Sequence, residues 1–329
     1  MLNIIKKTSI SLLTSAMLIT VPLAATAESG FPSKPITILE PWKAGSTPDV
    51  AMRAVAEIAS RTLGQPVVIK NVVGGSGTRA TLSLVNADPD GYTLLNNWVA
   101  PQIVARLFNP EVGYNNNDFI PVSGIMSLPF TLLVSEAHPA TNIREFVAWA
   151  NEQGRPINVG VCAALSVPRM VMEELLTQSG VTQYTTVPYN GCMPENITGL
   201  LDGSLDATTG VLAAEKVFAG KVKALAVIAD ERISLRPDLP TAAEQGVDIG
   251  WGDASAGWAG IVAPKNVPAD VIAKLANAFE AAWQSNEFKE IMSKNLIVVK
   301  HMPNNEFRAL WDSSEEILRP AVQRLLDQQ

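Results

Sequence analysis

A chain of 329 residues, 47% of them apolar, can bury sizeable cores, so disordered and fibrous classes are excluded and two domains of ordinary size are expected. A formal net charge of −7 without a marked Lys/Arg cluster argues against nucleic acid or an anionic membrane surface as the main partner. An anionic ligand would need local attraction.

The N-terminus, "MLNIIKKTSISLLTSAMLITVPLAATAES", has a basic start at Lys6 and Lys7, an apolar stretch and a small-residue ending at Ala27. This is the form of a cleaved secretory signal over residues 1–27, so an exported protein beginning near Glu28 is expected. From Ile36 onward, β-branched runs alternate with helical stretches: "ITILEP", "PVVIKN", "YTLLNN", "TLLVSE", "INVGV", "TTVPY", "LDATT" and "VKALAVIA". The alternation predicts an α/β fold with parallel sheets. Apolar spacing places helices over 48–63, 142–151 and 167–179, each with Thr, Asn or Ser near its start. The C-terminal region predicts three helices, 268–284, 287–294 and 304–326, interrupted by a strand at "LIVVK".

Two extended segments, "FIPVSGIMSLP" around Met126 and "GVDIGWGDASAGWAGIVAP" around Gly252, belong to no clean βα unit and are expected to cross between domains. One lobe would then hold residues 28–125 and 253–329, the other 126–252. A body joined by two such connections closes on a ligand by hinge motion.

Ligands of open parallel sheets gather at the carboxyl ends of strands. The informative loops are therefore "PWKAGSTPD", "NVVGGSGTRA", "NNWVAP", "VCAALSVPR", "PYNGCMPEN" and "TTGVLAAE". They are rich in Gly, Ser, Thr, Asn and aromatic residues and poor in catalytic sets. The two histidines, His138 and His301, lie outside them, and no Cys/His spacing suits a metal, so neither a metal nor a cofactor is expected. "GGSGT" lacks the ending of a P-loop and the spacing of a dinucleotide fingerprint. A tight strand-to-helix turn is its first reading and direct ligand contact its second. In the first loop, a strand ending at a helix N-terminus presents backbone N–H groups and the positive end of the helix dipole, a setting for an anion.

The motifs "FPSKPITILEPWKAGSTPDVAMR", "LGQPVVIKN", "GGSGT", "DPDGYTLL", "VPYNG", "LLDGSLDATTG", "GKVKALAVIADERISLRPDLPTAAEQG" and "GIVAPKNVP" follow one another in an order that resembles the tripartite tricarboxylate transporter solute receptors, also called the Bug or TctC-like family. The resemblance implies a type II periplasmic binding protein. That is a two-lobed α/β body, each lobe a mainly parallel sheet flanked by helices, with a small organic acid held in the cleft for delivery to membrane transporter subunits. It implies ligand contacts at Lys43, Ala44, Gly45, Ser46 and Thr47 in the first loop, and at Asn97 and Trp98 in the third. In the second lobe it implies Cys162, Ala163, Ala164 and Ser166, together with Tyr189, Asn190 and Asp206. The chain departs from the family pattern at Ala44-Gly45-Ser46-Thr47-Pro48-Asp49, where a glycine pair followed by Thr-Asp is usual, and at Arg169, which takes a histidine's place.

Several residues admit two readings. Asp49 in a first helical turn either meets a ligand amine or stabilises the helix dipole. Lys43 either pairs with a ligand carboxylate or is a solvated loop lysine. Arg169 sits at a helix end unfavourable for a cation and is a candidate ligand or cross-lobe partner. Of Trp42, Trp98, Trp251 and Trp258, the pocket candidates are Trp98 and Trp42; with both lining the cleft, the ligand is an aromatic or longer carboxylate rather than a compact dicarboxylate.

Cys162 and Cys192 are the only cysteines in an expected export product, and each follows a strand of the second lobe. A disulfide between them is expected, two buried free thiols being the alternative. The function expected is a monomeric, non-enzymatic periplasmic receptor for a mono- or dicarboxylate that serves a membrane permease. The alternatives are a receptor that presents its ligand to a membrane sensor and, further off, a hydrolase using Asp49 or Asp206.

Overall fold

The β-branched runs form strands at nearly the expected places. In the first half these are β1 (Ile36–Glu40), β2 (Val67–Asn71), β3 (Thr93–Trp98), β4 (Phe119–Met126) and β5 (Phe130–Ser135). The others are β6 (Ile157–Cys162), β7 (Tyr184–Tyr189), β8 (Ala207–Val211), β9 (Val222–Ile228) and β10 (Ala259–Pro264). The computed structural model describes residues 30–126, 129–162, 166–189, 193–298 and 300–327, so the expected signal segment lies outside the described residues. All the strands belong to one unit, Pro32–Gln329.

Two five-stranded sheets result, ordered β2-β1-β3-β10-β4 and β7-β6-β8-β5-β9. In the first, β2, β1 and β3 run parallel, while β10 is antiparallel to β3 and β4. The second repeats the plan, with β7, β6 and β8 parallel and β5 antiparallel to β8 and β9. Each sheet thus takes one antiparallel strand, the one that arrives directly from the other sheet, and is mixed rather than uniformly parallel. Those arriving strands fix the geometry. β10 begins with Ala259 opposite Trp98, and β5 begins with Phe130 opposite Val211. Both crossings therefore join the sheets at the edge where the parallel strands end, which turns the two sets of loops toward each other.

The helices are α1 (Thr47–Leu63), α2 (Thr78–Val85), α3 (Ala105–Phe108), α4 (Ile143–Glu152), α5 (Val167–Ser179), α6 (Met193–Asp202), α7 (Ala213–Val217), α8 (Ala269–Gln284), α9 (Asn286–Lys294) and α10 (Asn304–Asp327). On the first sheet, Trp283 of α8 reaches across to donate to Ser123 Oγ of β4 at 2.9 Å, and Phe307 of α10 lies against Gly260 on the opposite face. On the second, Leu132, Val159 and Val161 pack toward α4 and α5, and Leu133 packs with Ile197 and Leu200 of α6. α10 starts on the first sheet and ends with Arg324 paired to Glu174 of α5, so one helix spans both.

Two expectations are corrected. "FIPVSGIM" is not a bare crossing but strand β4, and its Pro121 is tolerated because β4 is an edge strand of its sheet, whose outer side is bridged to Met302 at Gly124 and not at Pro121. "LIVVK" forms no strand among its described residues: Leu296 turns through a positive φ of 52°, and Ile297 buries its side chain from an irregular segment.

A Cβ added at Gly260 would lie 2.3 Å from the Phe307 ring and 2.8 Å from the Ser123 carbonyl oxygen. Gly260→Ala is expected to destabilise the fold by at least about 1–3 kcal/mol, as overpacking against backbone does, measured by urea unfolding; an unchanged midpoint would show that α10 is not seated on this sheet.

Candidate functional site

Strand β1 delivers the first loop. It stops at Pro41, and the chain turns through 43–46 before α1 begins, with Pro48 in the first turn, where its missing N–H costs no helix bond. The residue holding this turn is Asp49. Its buried carboxylate accepts from the Gly45 N–H at 2.8 Å, from Arg53 Nε at 2.8 Å and Nη2 at 3.0 Å, and from Asn71 Nδ2 at 2.8 Å. Asn71 also donates to the Trp42 carbonyl at 2.9 Å, which ties the loop to β2. Burial pushes the Asp49 carboxyl up, but the bonds from Arg53, Gly45 and Asn71 outweigh it and hold the group below its ordinary range. Asp49 is therefore an internal clamp, and neither it nor Arg53 is a free charge.

What the clamp leaves open is neutral. Ser46 stands at the N-cap of α1 without making a capping bond, and its buried Oγ has no partner among the described residues. The indoles of Trp42 and Trp98 pack edge to face with centroids 6.0 Å apart, and both Nε1 donors are buried without partners among the described residues. Asn97 is fully buried, donates Nδ2 to Gln102 at 3.0 Å, and leaves Oδ1 unpartnered. Buried polar groups nearly always find partners, so this concentration marks a place where a ligand or water completes the bonding. Lys43, Ala44 and Gly45 are exposed, and Thr47 is half-buried.

Thr47 also lines a small pocket with Pro129, Val211, Leu212, Ala213, Leu296 and Val298. The start of α1 on the first sheet thus faces the β8–α7 turn of the second, and the two loop edges meet. The "GGSGT" turn lies to one side. A Cβ at Gly77 would sit 2.9 Å from the Pro101 ring, so this glycine is needed for close packing of the turn.

In the second sheet, Ser166 caps α5 by accepting from the Arg169 N–H at 3.3 Å, and Arg169 Nε bonds Glu173 at 2.7 Å. The half-buried Arg169 is thereby engaged within its own helix. Tyr189 ends β7 beside Cys162. Ala163, Ala164, Asn190 and Cys192 lie outside the described residues. Cys162 is disulfide-bonded, and the chain's one other cysteine is Cys192. Asp206 is misplaced by the expectation. It precedes β8 at the opposite edge of the sheet, where Arg155 grips both its oxygens at 2.8 and 2.7 Å and the Asn158 N–H donates at 2.7 Å, so it faces away from the loops. Trp258, not among the pocket candidates, is a core residue, fully buried and donating to Ser314 at 2.9 Å.

Thr209, within the loop "TTGVLAAE", and Thr131 of β5 are buried hydroxyls without partners among the described residues of the second sheet. The structure adds Glu40, a fully buried carboxyl at the end of β1. Glu40 Oε2 accepts from Asn96 Nδ2 at 2.7 Å and Oε1 from the Trp42 N–H at 3.3 Å. The signal was present: a glutamate closing the apolar run "ITILE" is a charge where burial is expected. Burial pushes its carboxyl up to about 8, against the bonds from Asn96 and Trp42 that lower it. No group of three or more His, Cys, Asp or Glu is placed to hold a metal among the described residues.

Two sheets of one strand order, joined at their loop edges and lined there by unpartnered neutral donors, define a two-lobed solute-binding body. The family model for the tripartite tricarboxylate transporter family receptor, TctC, matches residues 51–322, and the chain belongs to that family. A protein from the ttuE–ttuC′ intergenic region of Agrobacterium vitis is 33% identical over 82% of this chain and 77% of its own length. BugT of Bordetella pertussis is 28% identical over 79% of each chain. Among solved structures, an R. palustris protein with adipate superposes with a TM-score of 0.79 at 26% identity, covering 90% of this chain and 98% of that one. MatC of Rhodopseudomonas palustris with bound malate gives 0.73 at 25% identity, covering 89% and 100%.

Two outcomes follow from this geometry. Unfolded, Glu40 titrates near 4.5, so between pH 4.5 and 8 the folded chain keeps a proton that the unfolded chain has lost, and its contribution to stability declines as pH rises across that window. The full loss is on the order of 3–6 kcal/mol. Glu40→Gln removes it, so the variant's stability in urea should rise relative to the parent from pH 5 to 8; parallel pH curves would refute the burial argument. Separately, a non-reduced tryptic digest should yield one disulfide-linked species joining the peptides of Cys162 and Cys192, and finding the two peptides unlinked would exclude that pairing.

Proposed function

We propose that this chain is a periplasmic receptor, not an enzyme, that takes up a small organic carboxylate between its two sheets by lobe closure and delivers it to the membrane subunits of a tripartite tricarboxylate-type transporter. The observation that carries this reading is the set of buried, unpartnered donors at the start of α1, Ser46 Oγ, Trp42 Nε1 and Trp98 Nε1, beside a helix N-terminus whose dipole favours negative charge. The arginines nearby are engaged, Arg53 by Asp49 and Arg169 by Glu173, and Lys43 is exposed on the loop, so the buried groups that meet the anion are neutral donors. Adipate and malate in the related structures support an acid of this size. The signal-like residues 1–27 support export, and no helix among the described residues is long and apolar enough to cross a membrane. The lobes of this reading are residues 28–125 with 253–329, and 126–252.

A thermal-shift panel of adipate, malate, benzoate, glucose and putrescine tests the ligand class. An acid that binds the folded chain at a hundred times its Kd adds about 2.7 kcal/mol of apparent stability, and shifts are expected with acids alone. Trp98→Phe, which deletes the indole donor and keeps a ring, should weaken the binding acid by about 1.5–3 kcal/mol as loss of a hydrogen bond to a charge does, whereas exposed Lys43→Gln should change affinity by less than about 1 kcal/mol. A response to glucose or putrescine with none to acids would overturn the reading.

A further inference from the structure

We propose that Glu40 sets the charge state in which the cleft accepts its ligand: the site takes an anion while this carboxyl carries its proton and gives the anion up when the proton leaves. The inference rests on the carboxylate reading above. Glu40 touches no ligand in this scheme; it acts by its charge from beneath the first loop.

The geometry begins with register. Glu40 pairs with Asn71 of β2, and its side chain reaches Asn96 of β3, so all three lie on the sheet face that α1 covers. The carboxyl is fully buried directly beneath the loop, and one of its oxygens accepts the backbone N–H of Trp42. Trp42 then places its indole against Trp98. The charged groups around Glu40 are Asp49 and Arg53 of α1, which are locked to each other through two bonds and so largely cancel. β2 contributes the neutral Asn71, β3 the neutral Asn96, and β10 the apolar Ile261, opposite Asn96. An ionised Glu40 therefore has no cation of its own. A ligand carboxylate arriving at Ser46 and the indoles would meet a second, uncompensated negative charge in a medium that screens poorly.

The cost has a direction. With the carboxyl neutral, binding involves no proton. Above the midpoint that burial imposes, near pH 8, the anion binds only if Glu40 takes a proton back, so binding consumes a proton and weakens by up to roughly tenfold per pH unit. Both carboxyl groups of adipate titrate in the ordinary carboxylic-acid range, well below this window, so the ligand does not supply the slope.

Calorimetric titration with sodium adipate between pH 6 and 9.5 tests the proposal, run at pH 8.5 in two buffers of different ionisation enthalpy. The parent chain should show constant affinity to about pH 7, a loss of about tenfold or more by pH 9.5, and net proton uptake at pH 8.5. Glu40→Gln should show one affinity across the range and no proton uptake. If that variant does not fold, the carboxyl carbon of Glu40 followed by NMR in the labelled parent decides, and its midpoint must rise when adipate is added. A flat parent profile, or a slope that survives in Glu40→Gln, overturns this proposal and leaves the carboxylate reading standing. If neither adipate nor any other acid of the panel binds at any pH, the carboxylate reading fails and this inference falls with it.

Discussion

The first loop owes its shape to one buried carboxylate. Asp49 collects the Gly45 N–H, both arms of Arg53 and the Asn71 amide, so a single side chain ties the loop, the first turns of α1 and the end of β2 together. Arg53 is itself half exposed, but the Asp49 carboxylate is buried, so deleting Asp49 would release the loop, the helix and β2 from one another at once. The arrangement is therefore all or nothing, and that makes the loop a rigid wall for whatever closes on it. A second consequence concerns chemistry. Because Arg53 is spent on Asp49, the buried groups left open at the start of α1 are neutral donors beside the helix dipole, with Lys43 exposed to solvent next to them.

That wall matters because the sheets are joined at the right edge. An antiparallel strand inserted beside β3 or β8 starts where those parallel strands finish, so each crossing enters next to the loops of the sheet it joins. The repeated strand order turns this local rule into a cleft, and the pocket shared by Thr47, Pro129 and Val211 is its trace. α10, seated on the first sheet through Phe307 and ending at Glu174 of α5, is the element whose contacts must adjust in any hinge motion of the two sheets.

Most of this frame is legible in the sequence because it depends on local rules. β-branched runs, a serine before Val167 and a glycine after Ser179 bound α5 at the residues expected. Failures occur where a local signal meets a tertiary exception. Pro121 and Gly124 read as breakers, yet Pro121 sits on an edge strand that needs no N–H there, and Gly124 is small so that Met302 and Phe307 can approach to 3.0 Å of where a Cβ would stand. "LIVVK" has strand composition, yet Leu296 turns through a positive φ and the nearby edge of β4 is met by Met302, which bridges Gly124, while Ile297 is buried from an irregular segment. At the site, Ser46, Asn97, Trp42 and Trp98 were legible as loop residues. Which of the charges were committed was not, because the Asp49–Arg53 and Arg169–Glu173 pairs show only as i,i+4 spacings that most exposed helices share. Asp206 misled for the converse reason: a motif fixed its place in the chain, and nothing local told which edge of the sheet it would occupy.

A grip of neutral donors also suits the task proposed for the chain. Separating a desolvated, hydrogen-bonded charge pair leaves a charge buried and unpaired, a cost of roughly 2–5 kcal/mol or more that is expressed as slow release. A hydrogen bond from a neutral donor to a carboxylate contributes about 1.5–3 kcal/mol, and several of them bring an acid into a useful range without one contact dominating. Each indole N–H and the Ser46 hydroxyl can be satisfied by water once the ligand leaves, whereas a buried arginine stripped of its carboxylate cannot be resolvated without moving. A receptor that must surrender its cargo to a membrane partner therefore benefits from having its arginines answered internally, and the pairing of Arg53 and Arg169 within their own helices achieves this before any ligand arrives.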